Sequence, residues 1–251
     1  MDKKQDIHIS GQSTLGGGHF RNVVISGDAT IQGGVVCDSI KIMGKGHIQG
    51  GTTADTLFVL GQAKLEGSTD FKKMTINGHG VFNGNSVVSS AKILGQCYVN
   101  GDCHLDLNKL LGNLEVNGNY KGEYANIKGE LVVNGNVAVE DFNSSGRFKI
   151  EGLLNGESIQ INPRFASSYA KEIGGETIVI KRKSELALPF TSMGDVEADL
   201  IEGSDIYLEY TKAKIVRGSK VEIGPGCEIE VLECSGDCTV SEYSVVGTRK
   251  E

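Results

Sequence analysis

Apolar and polar positions in this chain repeat every 17 residues. The stretch Ile127-Lys128-Gly129-Glu130-Leu131-Val132-Val133-Asn134-Gly135 shows the phrase: apolar-x-Gly, three residues, then apolar-polar-Gly. The same phrase starts at Ile25, Ile42, Val59, Ile76, Ile93 and Leu110, at intervals of 17. A copy at Ser144 keeps Gly146, Ile150 and Gly152 without the leading apolar residue. A looser one precedes the array at Ile9, Gly11, Leu15 and Gly17. Self-similarity at so short a period decides the fold class before any single residue does.

A unit of this length is too short for paired helices, and each interior Gly would cost a helix about 1 kcal/mol. It fits one winding of a parallel β-solenoid, three short strands joined by corners. Counted from the leading row at Ile25, four further apolar rows alternate with polar places as strand residues must. Six along lie Ile31, Ile48, Leu65, Phe82, Val99, Val116, Val133 and Ile150. Four along lie Ala29, Gly46, Ala63, Gly80, Cys97, Leu114, Leu131 and Phe148. The rows twelve and fifteen along run from Cys37 to Gly156 and from Ile40 to Ile159. The pattern predicts an all-β chain folded as a right-handed parallel β-helix with about 17 residues per winding. The hand follows from the crossover rule for parallel strands.

Gly is expected at the corners, where positive φ brings no Cβ clash. The residue before the second Gly is Asn at positions 83, 100, 117 and 134. Asn suits left-handed turns, and amides stacked at strand spacing can hydrogen-bond along the axis. The column therefore reads as a structural ladder.

In chain order, residues 1–8 form a short polar lead-in and 9–163 the regular β-helix. The register fails at 164–172, where an irregular insertion or surface loop is expected. Residues 173–247 return to strand character with a period nearer 15, as a less regular continuation or a separate small β domain, and 248–251 are a tail. The basic run Lys181-Arg182-Lys183 and Pro189 lie in this part. One continuous rod would be on the order of 60–70 Å long at about 4.8 Å per winding.

Composition narrows the function. A net charge of −7 argues against a duplex nucleic-acid binder. No apolar run is long enough to span a bilayer, and Met1-Asp2-Lys3-Lys4-Gln5-Asp6 lacks the apolar core of a signal peptide. Six irregularly spaced Cys without a Cys-x-x-Cys pair point to reduced, mostly buried thiols in the cytoplasm. P-loop, Gly-x-Gly-x-x-Gly, Gly-x-Ser-x-Gly and His-x-x-x-His patterns are missing. His8, His19, His47, His79 and His104 fall in five different frames, and Cys234 and Cys238 have no His nearby. Hence no catalytic, cofactor-binding or metal residue is assigned, and no cofactor is expected.

Three surface features carry what function the residues suggest. Met43, Leu60, Asn77, Leu94 and Leu111, one place after each leading residue, should face outward as an apolar stripe. Segment 164–172 would cover it, or it would contact another rod, a partner or a membrane. Asp38, Asp55, Lys72, Ser89, Asp106, Glu123, Glu140 and Glu157 form a mostly acidic row. That row is either a solvated face or one that repels neighbours or meets a basic partner. At the ends, Ile7 and Ile9 lie near the first edge, and Val245 and Val246 close the run Tyr243-Ser244-Val245-Val246 near the last. A solenoid end presents unpaired backbone groups, so these four are the expected polymer contacts.

The Ile-x-Gly-x-x-x-apolar-x-Gly phrase, the winding length and the apolar rows resemble the bactofilins, bacterial cytoskeletal proteins. The segments Ala198-Asp199-Leu200-Ile201-Glu202-Gly203, Leu208-Glu209-Tyr210-Thr211-Lys212-Ala213-Lys214 and Gly224-Pro225-Gly226-Cys227 look like the long bactofilin-like proteins of Gram-positive spore formers. The resemblance implies a right-handed β-helix that polymerises without nucleotide, often at the membrane, and scaffolds cell-wall or flagellar assembly proteins. The expected function is thus a non-enzymatic, cytoplasmic, self-assembling scaffold that stacks end to end. The alternatives are a monomeric adaptor that binds one partner through the stripe, and an acyltransferase-like enzyme. The latter would need a left-handed β-helix built on hexads and a positioned His, which this period and these scattered His do not supply.

Overall fold

The computed structural model describes residues 4–164, 166–182 and 194–250. Phe165, Lys183, Pro189, the first three residues of the lead-in and Glu251 lie outside them. Every regular element among the described residues is a β-strand. The chain forms two compact units, 1–121 and 122–251.

The first unit opens with β1 (Gln5–Ile9), β2 (Gln12–Ile25) and β3 (Asp28–Ile42), each paired in parallel with the next. Short and long strands then alternate: β4 (Lys45–Gln49), β5 (Thr52–Val59), β6 (Gln62–Glu66), β7 (Thr69–Ile76), β8 (His79–Asn83), β9 (Ser86–Ile93), β10 (Gln96–Val99), β11 (Cys103–Leu110) and β12 (Asn113–Val116). Short strands stack on short and long on long, always in parallel, with partners one period apart such as Ile42 with Val59 and Val59 with Ile76. This is the expected parallel β-solenoid.

Strand β13 (Tyr120–Ile127) crosses the division between the units. The second unit continues with β14 (Glu130–Val133), β15 (Val137–Ser144) and the long β16 (Arg147–Ile161), which pairs with both. Next come β17 (Ser168–Ile180), β18 (Val196–Leu208) and β19 (Thr211–Ile223), stacked in order. Last are β20 (Glu228–Cys234) and β21 (Cys238–Val240), both on β19, and β22 (Val245–Lys250) on β20. Residues 168–172 therefore belong to the wall and are not a segment laid on the surface. Their Gly phrase is gone, but Ser168, Ala170 and Ile173 still turn inward, and that alternation is enough to hold a strand.

The apolar rows read from the sequence line the interior. The leading row from Ile25 to Leu110 is fully buried, as is the row six along from Ile31 to Ile150, apart from traces at Phe82 and Val99. A sixth interior row, ten along, was hidden by its hydroxyls: Val35, Thr52, Thr69, Ser86, Cys103, Tyr120, Val137 and Leu154, all buried. Thr52 satisfies its hydroxyl by donating to the Gly50 carbonyl at 3.2 Å, and Thr69 donates to Ser86 at 3.0 Å. Buried hydroxyls with such partners cost little.

The second-corner Gly33, Gly67 and Gly84 take the expected positive φ, but the first-corner glycines serve a different purpose. Among the described residues positive φ occurs at Gly18, Gly33, Gly67, Gly84 and Gly226, and not at the first-corner glycines 44, 61, 78, 95 and 112. A Cβ at each of those five would overlap the carbonyl oxygen of the corner Gly one winding earlier. Close backbone stacking, not turn conformation, demands Gly there. The Asn column likewise avoids left-handed backbone; Tyr210, at φ 48°, is the non-Gly exception among the described residues. Its amides nonetheless form the expected ladder: Asn117 donates to Asn100 at 2.6 Å, Asn100 to Asn83 at 2.7 Å, and Asn83 to Glu66 at 2.9 Å.

Candidate functional site

The first unit carries an edge and a stripe. β1 pairs with β2, and among the described residues no strand covers its other side. Ile9 is buried at 6% exposure, whereas Ile7 is half-buried. Ile9 is thus a core residue rather than an open contact, and Ile7 is the apolar side chain the edge offers. Polar side chains hold β1 in place. Asp6 accepts hydrogen bonds from the Arg21 guanidinium and from Asn22 at 2.9 Å, and Lys4 pairs with Asp38 at 2.8 Å. The Arg21 hydrogen bond holds the Asp6 carboxyl down at about 2, and Lys64, with Asn83 and His47, does the same for Glu66.

The stripe is open. Met43, Leu60, Leu94 and Leu111 are 38%, 46%, 42% and 43% exposed. Each stands at the corner just before a Gly, and the N–H groups of Leu60 and Leu111 donate to Ile42 and Ile93 at 2.8 Å, which fixes them in register. The row is polar on either side of this run, with Ser26 before it and Lys128 after it.

The acidic row is less repulsive than its sequence implies, because cations interleave with it. Lys72 pairs with Asp55 at 2.7 Å, and Lys4 with Asp38. His104 Nε2 lies 2.5 Å from Asp106 Oδ1 within its own strand. The described residues hold no group of three His, Cys, Asp or Glu placed to bind a metal. Burial pushes the Cys37 thiol up to about 11 and that of Cys97 to about 12, so these act as core side chains.

The second unit closes on β22, where Val245 is 69% exposed and Val246 half-buried. Tyr243, 74% exposed, stands beside them and was not singled out from the sequence. Ser244 fixes this last corner by donating to the Gly224 carbonyl at 2.6 Å and accepting from the Cys227 N–H at 2.9 Å.

A groove of about 1010 Å³ on the second unit was also not anticipated. Its floor is a column of Gly156, Gly175, Gly203 and Gly218 in register, and its rim bears Glu140, Glu157, Glu176 and Glu202. Arg217 bridges Glu202 at 3.3 Å and Glu233 at 2.8 Å across one end.

Comparison with known proteins agrees with this architecture. Residues 1–87 match the family model described as bactofilin, polymer-forming cytoskeletal. The uncharacterized protein YhbF of Bacillus subtilis (strain 168) is 39% identical over 94 residues, 38% of this chain and 39% of that protein. The uncharacterized protein YhbE of the same organism is 44% identical over 98 residues, 38% of this chain and 41% of that protein. The chain thus spans about two fifths of the length of these curated relatives. No solved structure matches it. No helix of the described residues is long and apolar enough to cross a membrane.

Proposed function

We propose that this chain, whose residues 1–87 match the bactofilin family model, is a non-enzymatic cytoskeletal scaffold that assembles without nucleotide by end-to-end stacking of β-solenoids. The observation that carries the reading is the uncovered side of β1, with Ile7 half-buried beside a row of unpaired backbone groups. Such an edge is a template for another strand, and pairing it satisfies every donor and acceptor it leaves open. Val245, Val246 and Tyr243 on the last winding supply a matching apolar surface. Each edge then pairs with its like or with the other, and both arrangements use these side chains.

In this reading the filament works in the cytoplasm and holds cell-wall or flagellar assembly proteins at the cell envelope. The Met43–Leu111 stripe supports lateral contact between filaments, since four of its five corner residues present exposed apolar side chains.

Light scattering and sedimentation of the purified protein test the stacking. Ile7→Lys and Val245→Lys should each leave the fold intact, by far-UV circular dichroism, and shift the protein from pelletable polymer to the supernatant. Polymer that pellets unchanged in both variants would exclude these edges as the joint. Monomer in the wild type would favour the adaptor reading through the stripe.

A further inference from the structure

The sequence places Cys234 and Cys238 four positions apart, and the fold makes them a pair. Cys234 ends β20 and Cys238 opens β21, and both strands lie on β19, opposite Gly218 and Val221. A sharp corner at residues 235–237 joins them. The Cys234 sulfur sits over that corner, 3.8 Å from the Gly236 carbonyl oxygen and 3.4 Å from that of Asp237. The Asp237 carbonyl is bonded directly to the Cys238 nitrogen, so the two side chains share one small space. The two thiols interact electrostatically.

The two differ in access. Cys234 is 8% exposed, whereas Cys238 is half-buried and reachable from solvent. The Arg249 guanidinium on β22 favours the Cys238 thiolate, although burial and the Cys234 thiol together hold its pKa above the ordinary value. Among the other cysteines, Cys37, Cys97, Cys103 and Cys227 are all buried.

We infer that Cys234 and Cys238 form a reversible disulfide modification site that reacts with small-molecule disulfides of the glutathione class, Cys238 attacking first and Cys234 resolving. The Cys238 thiolate attacks one sulfur of oxidised glutathione, and the glutathione S–S bond breaks with loss of one thiolate. The Cys234 thiolate then attacks the Cys238 sulfur of the mixed disulfide and expels the second glutathione thiolate. The two thiol protons end on the two released glutathiones, and the protein is oxidised by two electrons. The product ties β20 to β21 across the corner, and reduced glutathione in excess reverses it.

The test is to incubate the full chain with oxidised glutathione and read intact mass and a peptide map under non-reducing conditions. The wild type should lose two hydrogens, with the map linking Cys234 to Cys238. Cys234→Ser should stop at one glutathione adduct on Cys238, and Cys238→Ser should stay unmodified at both positions. A wild type that retains all its thiols, or that accumulates a stable adduct on Cys238, would overturn the inference. So would a disulfide to any other cysteine. Circular dichroism checks both variants; if either fails to fold, the wild-type map alone decides.

Discussion

Glycine at the first corner of each winding is fixed by its neighbour one winding away. Gly78 approaches Gly61 so closely that a single methyl group would overlap the Gly61 carbonyl oxygen. Gly78→Ala should therefore lower stability by about 1–3 kcal/mol, the usual cost of overpacking, read as a shift of the urea midpoint. Gly11 is the control: an added Cβ there meets nothing within 4 Å, and Gly11→Ala should leave the midpoint nearly unchanged. Acid sensitivity also belongs to single residues. The Asp6 and Glu66 carboxyls are held at about 2, below their ordinary values of 3.8 and 4.5. A depressed carboxyl stabilises the fold above its ordinary value and loses that effect as pH falls through its folded value. The melting temperature should thus decline between about pH 4.5 and about pH 2. Asp6→Asn should flatten part of that decline; an identical profile would show that the Arg21 contact contributes nothing. Because both carboxylates are on the surface, the effect is small and salt-screened.

At the scale of strands and columns, the Asn ladder and the apolar stripe make opposite predictions. Asn100 both donates to Asn83 and accepts from Asn117. Asn100→Ala removes two amide hydrogen bonds at a mostly exposed corner and should cost about 1–2 kcal/mol, seen again as a urea midpoint. The double variant Leu60→Asp/Leu94→Asp should instead leave stability alone, since both side chains already face solvent. It should abolish lateral bundling while filaments persist, and bundles that survive it would remove the stripe from the assembly. These columns also show how far the sequence could be read. The leading apolar row was legible because every member from Ile25 to Leu110 keeps one period and one hydropathy, and the stripe because all its members but Asn77 do. The interior row through Thr52, Thr69 and Ser86 was not, because polar side chains bonded to the wall look like surface residues in a linear pattern. The role of the first-corner glycines was misread for a related reason, while Gly33, Gly67 and Gly84 at the second corner do take positive φ. A close approach between residues 17 apart leaves the same Gly as a positive φ does. The groove was hidden by spacing, since Gly156, Gly175, Gly203 and Gly218 follow one another at 19, 28 and 15 residues and align only in register.

For the whole molecule the issue is what happens to strand edges that no strand of the described residues covers. A soluble solenoid must cap such edges or pair them with another chain. Charged residues on or beside β1 and β22, Lys4, Asp6, Arg249 and Lys250, do not by themselves exclude pairing, since Asp6 and Lys250 are engaged by Arg21 and Glu233 in their own unit. Negative-stain electron microscopy of the purified protein, without nucleotide and over a salt series, is the most direct test. The stacking account predicts filaments of uniform width in the wild type that are lost in Ile7→Lys. Short particles of uniform size that never associate, at any salt, would contradict it.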